Sequence, residues 1–377
     1  RATLSIISGS MMTVASIVFS IVIIAMTLAS QLYGPRLMRG LMGDRVNQTV
    51  LGVFIATFLY SLAIMRAMPA TLDGGTLPRV SLVIAVLLSI LSIGVLIYFI
   101  HHVSIAMTAP HIVEIAGREL DRAIDSRFGK ADEPAPKDED LPADFDDRCR
   151  SLRPSSRGYL RRIAEQDLCK LLAEHDLVLR HPGIGAYFGH GLSIDVAPAD
   201  KVTDDLADEI LERFLIGPTR TSTQDPFYAV EAIGQIAARA LSPSLNDPFT
   251  AMLCIDRLAA CLARIDGRPD PTGILRDEQD RLRAKASPFT FADLLHAAFD
   301  PIRRDGAGQH AVVHRLLTVL GDMAAVFDEP ARREALAEMA DRTLHACVSR
   351  DPDDPGLKEI LEQHARTMQR LGARAGE

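Results

Sequence analysis

Charged side chains are scarce in the first 112 residues of this 377-residue chain. Three stretches, Leu4–Leu32, Val46–Met65 and Val80–Ile100, have none. A bilayer core is about 30 Å thick and is crossed by about 20 helical residues, so each stretch is long enough to span. Residues 113–377 carry most of the charge and read as a part that lives in water. No basic surplus exists, since the formal net charge is −8, and this argues against nucleic acid as a partner. Cysteine is sparse: Cys149, Cys169, Cys254, Cys261 and Cys347 are odd in number and form no CxxC pair. The set suits a reducing compartment, and Cys254 and Cys261, seven apart, share a helix face as small apolar residues. HExxH, P-loop, GxSxG and Cys/His nucleophile patterns are missing. The sequence therefore assigns no catalytic residue, no cofactor and no metal.

Arg1–Leu32 also lacks a basic leader and a small-residue cleavage site, and it is longer than the apolar core of a signal peptide. It is expected to be a retained span in a chain that continues upstream of Arg1. Orientation follows from the loops. Arg36, Arg39 and Arg45 stand against Asp44 after the first span; Arg66 and Arg79 stand against Asp73 after the second. The positive-inside rule then places the first loop, and with three spans the large C-terminal part, in the cytoplasm.

What the first span does have is a polar stripe. Ser5, Thr13, Ser16, Ser20, Thr27 and Gln31 fall within an arc of roughly 100° at 100° per residue. Hydroxyl and small residues let helices approach and hydrogen-bond, so the stripe reads as a helix–helix interface or as the lining of a pore. The two are compatible in a homo-oligomer. Tyr33–Asp44 has the spacing of a short amphipathic helix at the interface, or of a basic anchoring loop. In the second span Thr57, Tyr60 and Ser61 share a face; in the third, Ser89 and Ser92 do. His101 and His102 mark the end of the third span as interfacial anchors or proton sensors.

Beyond the third span the helical pattern continues to about Phe128 as a stalk. Gly129–Asp147, rich in Pro, Asp and Glu, reads as a linker or surface loop. Residues 157–198 read as a small β module, a barrel or sandwich of short strands with turns at Pro182-Gly183 and around Gly189–Gly191. Residues 199–377 read as mainly helical, over Thr203–Phe214, Asp225–Leu241, Asn246–Ile265, Thr290–Phe299, Gln309–Val326, Glu329–Val348 and Pro355–Leu371. The Asp-Pro pairs at 225, 247, 351 and 354 read as helix starts, with Asp capping and Pro in the first turn. The fold class is thus a multi-pass α-helical membrane bundle, residues 1–112, followed by a cytoplasmic α+β domain made of a small β module and a helical region. Residues 113–156 connect the two as stalk and linker.

The densest polar cluster is Thr219–Asp256. Asp225, Glu231, Arg239, Ser242, Asn246, Asp247 and Asp256 form either a capping and salt-bridge network across a helical hairpin or a ligand site. Glu231 and Asp256 are the pair that acid–base chemistry would use. His310 and His314 have the i, i+4 spacing of a metal pair, with His296 upstream, but no further ligand completes the set.

ARALSPSLNDPFTA at 238–251, NQTVLGVFIATFLY at 47–60 and QLYGPRL at 31–37 carry a resemblance that covers nearly the whole chain. It resembles the bacterial predicted-membrane-protein family called domain of unknown function 2254. The resemblance implies an inner-membrane protein with an N-terminal bundle, a cytoplasmic domain and a span upstream of Arg1; it implies no catalytic residues. The leading expectation is a homo-oligomeric channel or conductance protein with a cytoplasmic vestibule or gating domain, its partners being the lipid bilayer and further copies of itself. The alternatives are a membrane-tethered adaptor or sensor and, last, a membrane-surface enzyme using the Glu231–Asp256 cluster.

Overall fold

The computed structural model describes residues 2–34, 45–67, 79–131, 139–189 and 191–373. The segment Tyr33–Asp44 and the loop Arg66–Arg79 fall largely outside them, as does the middle of the acidic linker. The chain forms two compact units, Arg1–Ile112 and Val113–Glu377.

Unit one contains three helices long and apolar enough to cross a membrane: α1 (Ala2–Tyr33), α2 (Arg45–Ala67) and α3 (Arg79–Ala106). They meet along a narrow seam of Met11, Ala15 and Val18 from α1, Val50 and Phe54 from α2, and Phe99 from α3. Most other large apolar side chains, such as Ile17, Phe19, Leu59, Leu87 and Ile97, point outward. Outward-facing apolar side chains match lipid tails, which are as apolar as they are. The shared faces of Thr57 and Ser92 turn inward: Thr57 Oγ1 and Ser92 Oγ lie 3.2 Å apart, buried.

The stalk is not a continuation of the third span. The helix breaks at Met107–Thr108 and restarts as α4 (Ala109–Arg127). Pro110 lacks an N–H and crowds the preceding turn, so it is accommodated only in the first turn of a new helix.

Unit two opens within α4, from Val113 on, then α5 (Phe145–Arg148), β1 (Arg150–Leu152), β2 (Gly158–Ile163), α6 (Glu165–Glu174), β3 (Val178–His181), β4 (Tyr187–Phe188), β5 (Ile194–Ala197), α7 (Asp204–Glu212) and β6 (Phe214–Gly217). Next come α8 (Pro226–Ala240), α9 (Pro248–Ala263), β7 (Ile274–Arg276), β8 (Leu282–Ala286), α10 (Phe291–Asp305), α11 (His310–Met323), α12 (Pro330–Arg350) and α13 (Leu357–Ala373). The described strands form two sheets, β1-β5-β3-β8-β7 and β4-β2-β6, in which only β3–β8 is parallel. A core of Leu160, Leu168, Leu172, Leu179, Ile194, Val196 and Ile210 joins them to α6 and α7. The strands therefore reach beyond residues 157–198 on both sides. Leu282–Ala286, with the sequence LRAKA, carries no strand signature of its own and becomes a strand by pairing with β3.

The helical region follows its caps. Asp225 Oδ1 accepts from Tyr228 N at 3.0 Å and Asp247 Oδ1 from Thr250 N at 3.1 Å, each with Pro in the first turn. Thr290 and Asp293 form a capping box. Asp351, by contrast, closes α12 instead of opening a helix.

A ladder of ion pairs holds α4 against α9. Glu114, Asp121 and Asp125 meet Arg257, Arg264 and Arg268, two sets with the same steps of seven and four. Arg257 Nη2 donates to Asp121 at 2.7 Å, and its Nε lies 3.0 Å from Glu114 without hydrogen-bond alignment. Arg264 and Arg268 both donate to Asp125, at 3.0 and 2.8 Å. The matching order means that α4 and α9 run in the same direction.

Candidate functional site

On α1 the packed face carries Leu4, Met11, Ala15, Val18 and Ala29. Thr13, Ser16, Ser20, Thr27 and Gln31 are all exposed. At 100° per residue the two sets are centred about 160° apart, so the stripe lies on the side of α1 turned away from α2 and α3. Each hydroxyl donates to the carbonyl four residues back: Thr13 to Gly9 and Ser16 to Met12 at 3.0 Å, Ser20 to Ser16 and Thr27 to Ile23 at 2.9 Å. Around Gly9 the face is hollowed between Ser5, Ser10 and Thr13, and a Cβ at Gly9 would meet no atom within 4 Å.

The second cluster, in unit two, resolves into separate networks. Asp225, 1% exposed, caps α8 and takes two bonds from Arg220, at 2.8 and 3.0 Å. Arg220 also donates to Glu231 at 2.9 Å and lies over the Tyr228 ring. Asp256 is held by a different arginine, Arg315 Nε at 2.6 Å. Glu231 and Asp256 are thus held by different arginines, Glu231 sharing Arg220 with Asp225. Ser242 Oγ donates to the Arg239 carbonyl at 2.6 Å, closing α8. Asn246 takes a positive φ of 46° in the turn, and its Oδ1 accepts from Gln309 at 2.7 Å. The hydroxyl and N–H of Thr250 hold the Asp247 carboxyl below its ordinary pKa. Arg239 is half-buried on α8. These geometries are those of a braced hairpin.

The histidines disperse. His310 meets Asp354 at 3.1 Å, His314 lies 4.0 Å from Glu359, and His296 faces Arg342. Among the described residues no group of three His, Cys, Asp or Glu side chains is arranged to hold a metal ion.

A cleft of about 420 Å³ in unit two has no counterpart in the sequence reading. Arg127 at the end of α4, Glu165 at the start of α6, His181 at the end of β3, and Asp270 in the Pro269–Gly273 loop converge on it. Arg127 donates to Glu165 at 2.8 Å. Asp270 accepts from Arg332 at 3.2 Å and from the Phe291 N–H at 3.1 Å. His181 Nδ1 is 2.7 Å from the Pro182 carbonyl. Burial, with a smaller contribution from the Arg127 charge, pushes the His181 pKa down to about 4. The four side chains come from segments far apart in the chain, and no local spacing signals their meeting. The His181-Pro182-Gly183 turn was the one visible hint.

Across residues 1–322 the chain matches the family model described as Predicted membrane protein (DUF2254). The chain belongs to that family. The family match spans unit one and most of unit two and stops within α11, so α12 and α13 lie beyond it. Relatives of this DUF2254 chain include uncharacterized proteins of Mycobacterium tuberculosis and Mycobacterium bovis. Each is 29% identical over 374 residues, which make up 97% of this chain and 71% of theirs. No solved structure matches it.

Proposed function

We propose that the chain is a homo-oligomeric conductance protein of the bacterial inner membrane, with α1 facing the pathway or the neighbouring copy and unit two serving as a cytoplasmic vestibule or gate. One observation carries the reading: the polar stripe lies on the face of α1 that does not pack on α2 or α3. The hydroxyl protons are held by the helix's own carbonyls, but the small side chains and the outward lone pairs are better matched by a neighbouring helix or water than by lipid tails. The open hollow at Gly9 leaves room for such a neighbour. The three described spans leave the striped face of α1 open, so a pathway along it needs further membrane helices; the proposal takes these from further copies, with the bilayer as the other partner.

The test is a triple variant, T13L/S20L/T27L, reconstituted in planar bilayers beside the unmodified protein. The unmodified protein is expected to conduct, and the variant to lose conductance while cross-linking still shows the oligomer. Unchanged conductance in the variant, or none in the unmodified protein, refutes the reading. The cleft in unit two favours a second reading, a membrane-tethered adaptor or sensor. An adaptor would keep its activity in the triple variant.

A further inference from the structure

The cleft in unit two combines three features that ordinary packing does not require. The first is His181. A backbone carbonyl can only accept, so the Nδ1 beside the Pro182 carbonyl carries the proton and Nε2 keeps its lone pair. The side chain is 6% exposed, and its depressed pKa keeps the ring neutral at pH 7. A buried neutral imidazole with an unused acceptor calls for a hydrogen-bond donor. The second is Arg127, which uses Nη1 for Glu165 and has no other hydrogen-bond partner among the described residues. Its remaining N–H groups call for an acceptor. The third is mixed charge. Arg127 lines the cleft together with the carboxylates of Glu165 and Asp270, and Asp270 is paired from behind the lining with the buried Arg332.

This combination selects against simple ions. A lone cation meets Arg127, a lone anion meets two carboxylates, and a metal finds no ligand set among the described residues. A molecule with both charges meets the remaining Arg127 N–H groups and the His181 acceptor together. We propose that the cleft binds a zwitterionic small molecule of the amino-acid class, its carboxylate on Arg127 and its ammonium donating to His181 Nε2 in the field of Glu165 and Asp270. The volume of about 420 Å³ falls within the range of small-molecule sites. The proposal goes beyond the conductance reading and does not depend on it.

The full chain in lipid nanodiscs provides the test, by calorimetric titration and thermal shift. The probes are the twenty protein amino acids, with acetate and methylamine as the two half-ligands. At least one amino acid is expected to bind and raise the melting temperature, while neither half-ligand does so at the same concentration. No binding by any amino acid overturns the proposal, and so does equal binding of acetate or methylamine. H181N keeps an amide N–H for the Pro182 carbonyl and removes the Nε2 acceptor. It is expected to weaken binding about tenfold, the loss of one hydrogen bond to a charged group, while H181Q, which restores an acceptor further out, recovers part. Because His181 is buried, R127K provides a second variant: it keeps the charge beside Glu165, loses the fork of donors, and is expected to weaken binding likewise. Unchanged affinity in H181N, or in R127K should H181N not fold, overturns the proposal.

Discussion

Asp225 does two jobs in a space closed to water. Its carboxylate accepts from the first turn of α8 and holds Arg220 by two bonds. The capping half was legible in the sequence, because Asp-Pro ahead of an apolar period is a local signal. The pairing half was not: Arg220 lies inside the Thr219–Asp256 cluster, but nothing local says which carboxylate it chooses. Asp256 repeats the lesson, since its partner Arg315 arrives from α11. His181 went unmarked because burial, which gives it its chemistry, comes from tertiary packing. Its depressed pKa has a thermodynamic consequence. The unfolded chain takes up a proton near pH 6.5, the folded one only near pH 4. Between those values the unfolded state binds more protons, so stability falls as pH falls through the window, and above pH 6.5 the group contributes no slope. The shift corresponds to roughly 3 kcal/mol. Urea unfolding at pH 7 and pH 4 should show that difference against H181N, in which this slope is missing; equal pH dependence of the two proteins would contradict it.

At the scale of elements, the contact between α4 and α9 depends on one small residue. A Cβ at Gly117 would sit 2.1 Å from Arg257 Nε, and Arg257 is fixed by Asp121 at 2.7 Å and Cys261 Sγ at 3.0 Å. G117A should therefore displace the guanidinium and cost about 1–3 kcal/mol, the usual loss when a charged hydrogen bond is broken in a partly buried place. In an R257A background the same change should instead stabilise by up to about 1 kcal/mol, the helix preference of Ala over Gly. Unfolding of the two singles and the double tests this; simple additivity would remove the argument. The helices themselves were legible because their apolar spacing and caps are local. The matching steps of seven and four on α4 and α9 were visible in hindsight only, since sequence does not say which acidic face meets which basic one. The sheet was hidden for the same reason: β3 pairs with β8 at Leu179 opposite Ala284, and neither strand announces the other.

For the whole molecule, the legible part is the division between apolar spans and charged remainder, because lipid demands long uncharged runs. Inside unit two, buried arginines act as internal fasteners. Arg332 reaches the Ile265 carbonyl at 2.7 Å, and Arg333 reaches those of Ala324 and Arg370 at 2.7 Å. These carbonyls lie at or just beyond helix ends, where backbone acceptors lack partners. The free cysteines make orientation measurable. Cys149 is partly exposed, while Cys254 and Cys261 are completely buried and burial pushes the Cys254 thiol up to about 12. An impermeant maleimide should leave Cys149 unmodified in intact spheroplasts and label it after permeabilisation, with Cys254 and Cys261 silent in both. Labelling of Cys149 in intact spheroplasts would reverse the orientation.

The hydroxyls on the outer face of α1 have a polarity of their own. Thr13, Ser16, Ser20 and Thr27 each give their only proton to their own helix. What they present outward is lone pairs, one above another along the helix. Such a lane is electron-rich although it bears no charge, and whatever meets it must bring the protons or the positive charge. Along a shared pathway it would discriminate by sign, passing cations in preference to anions.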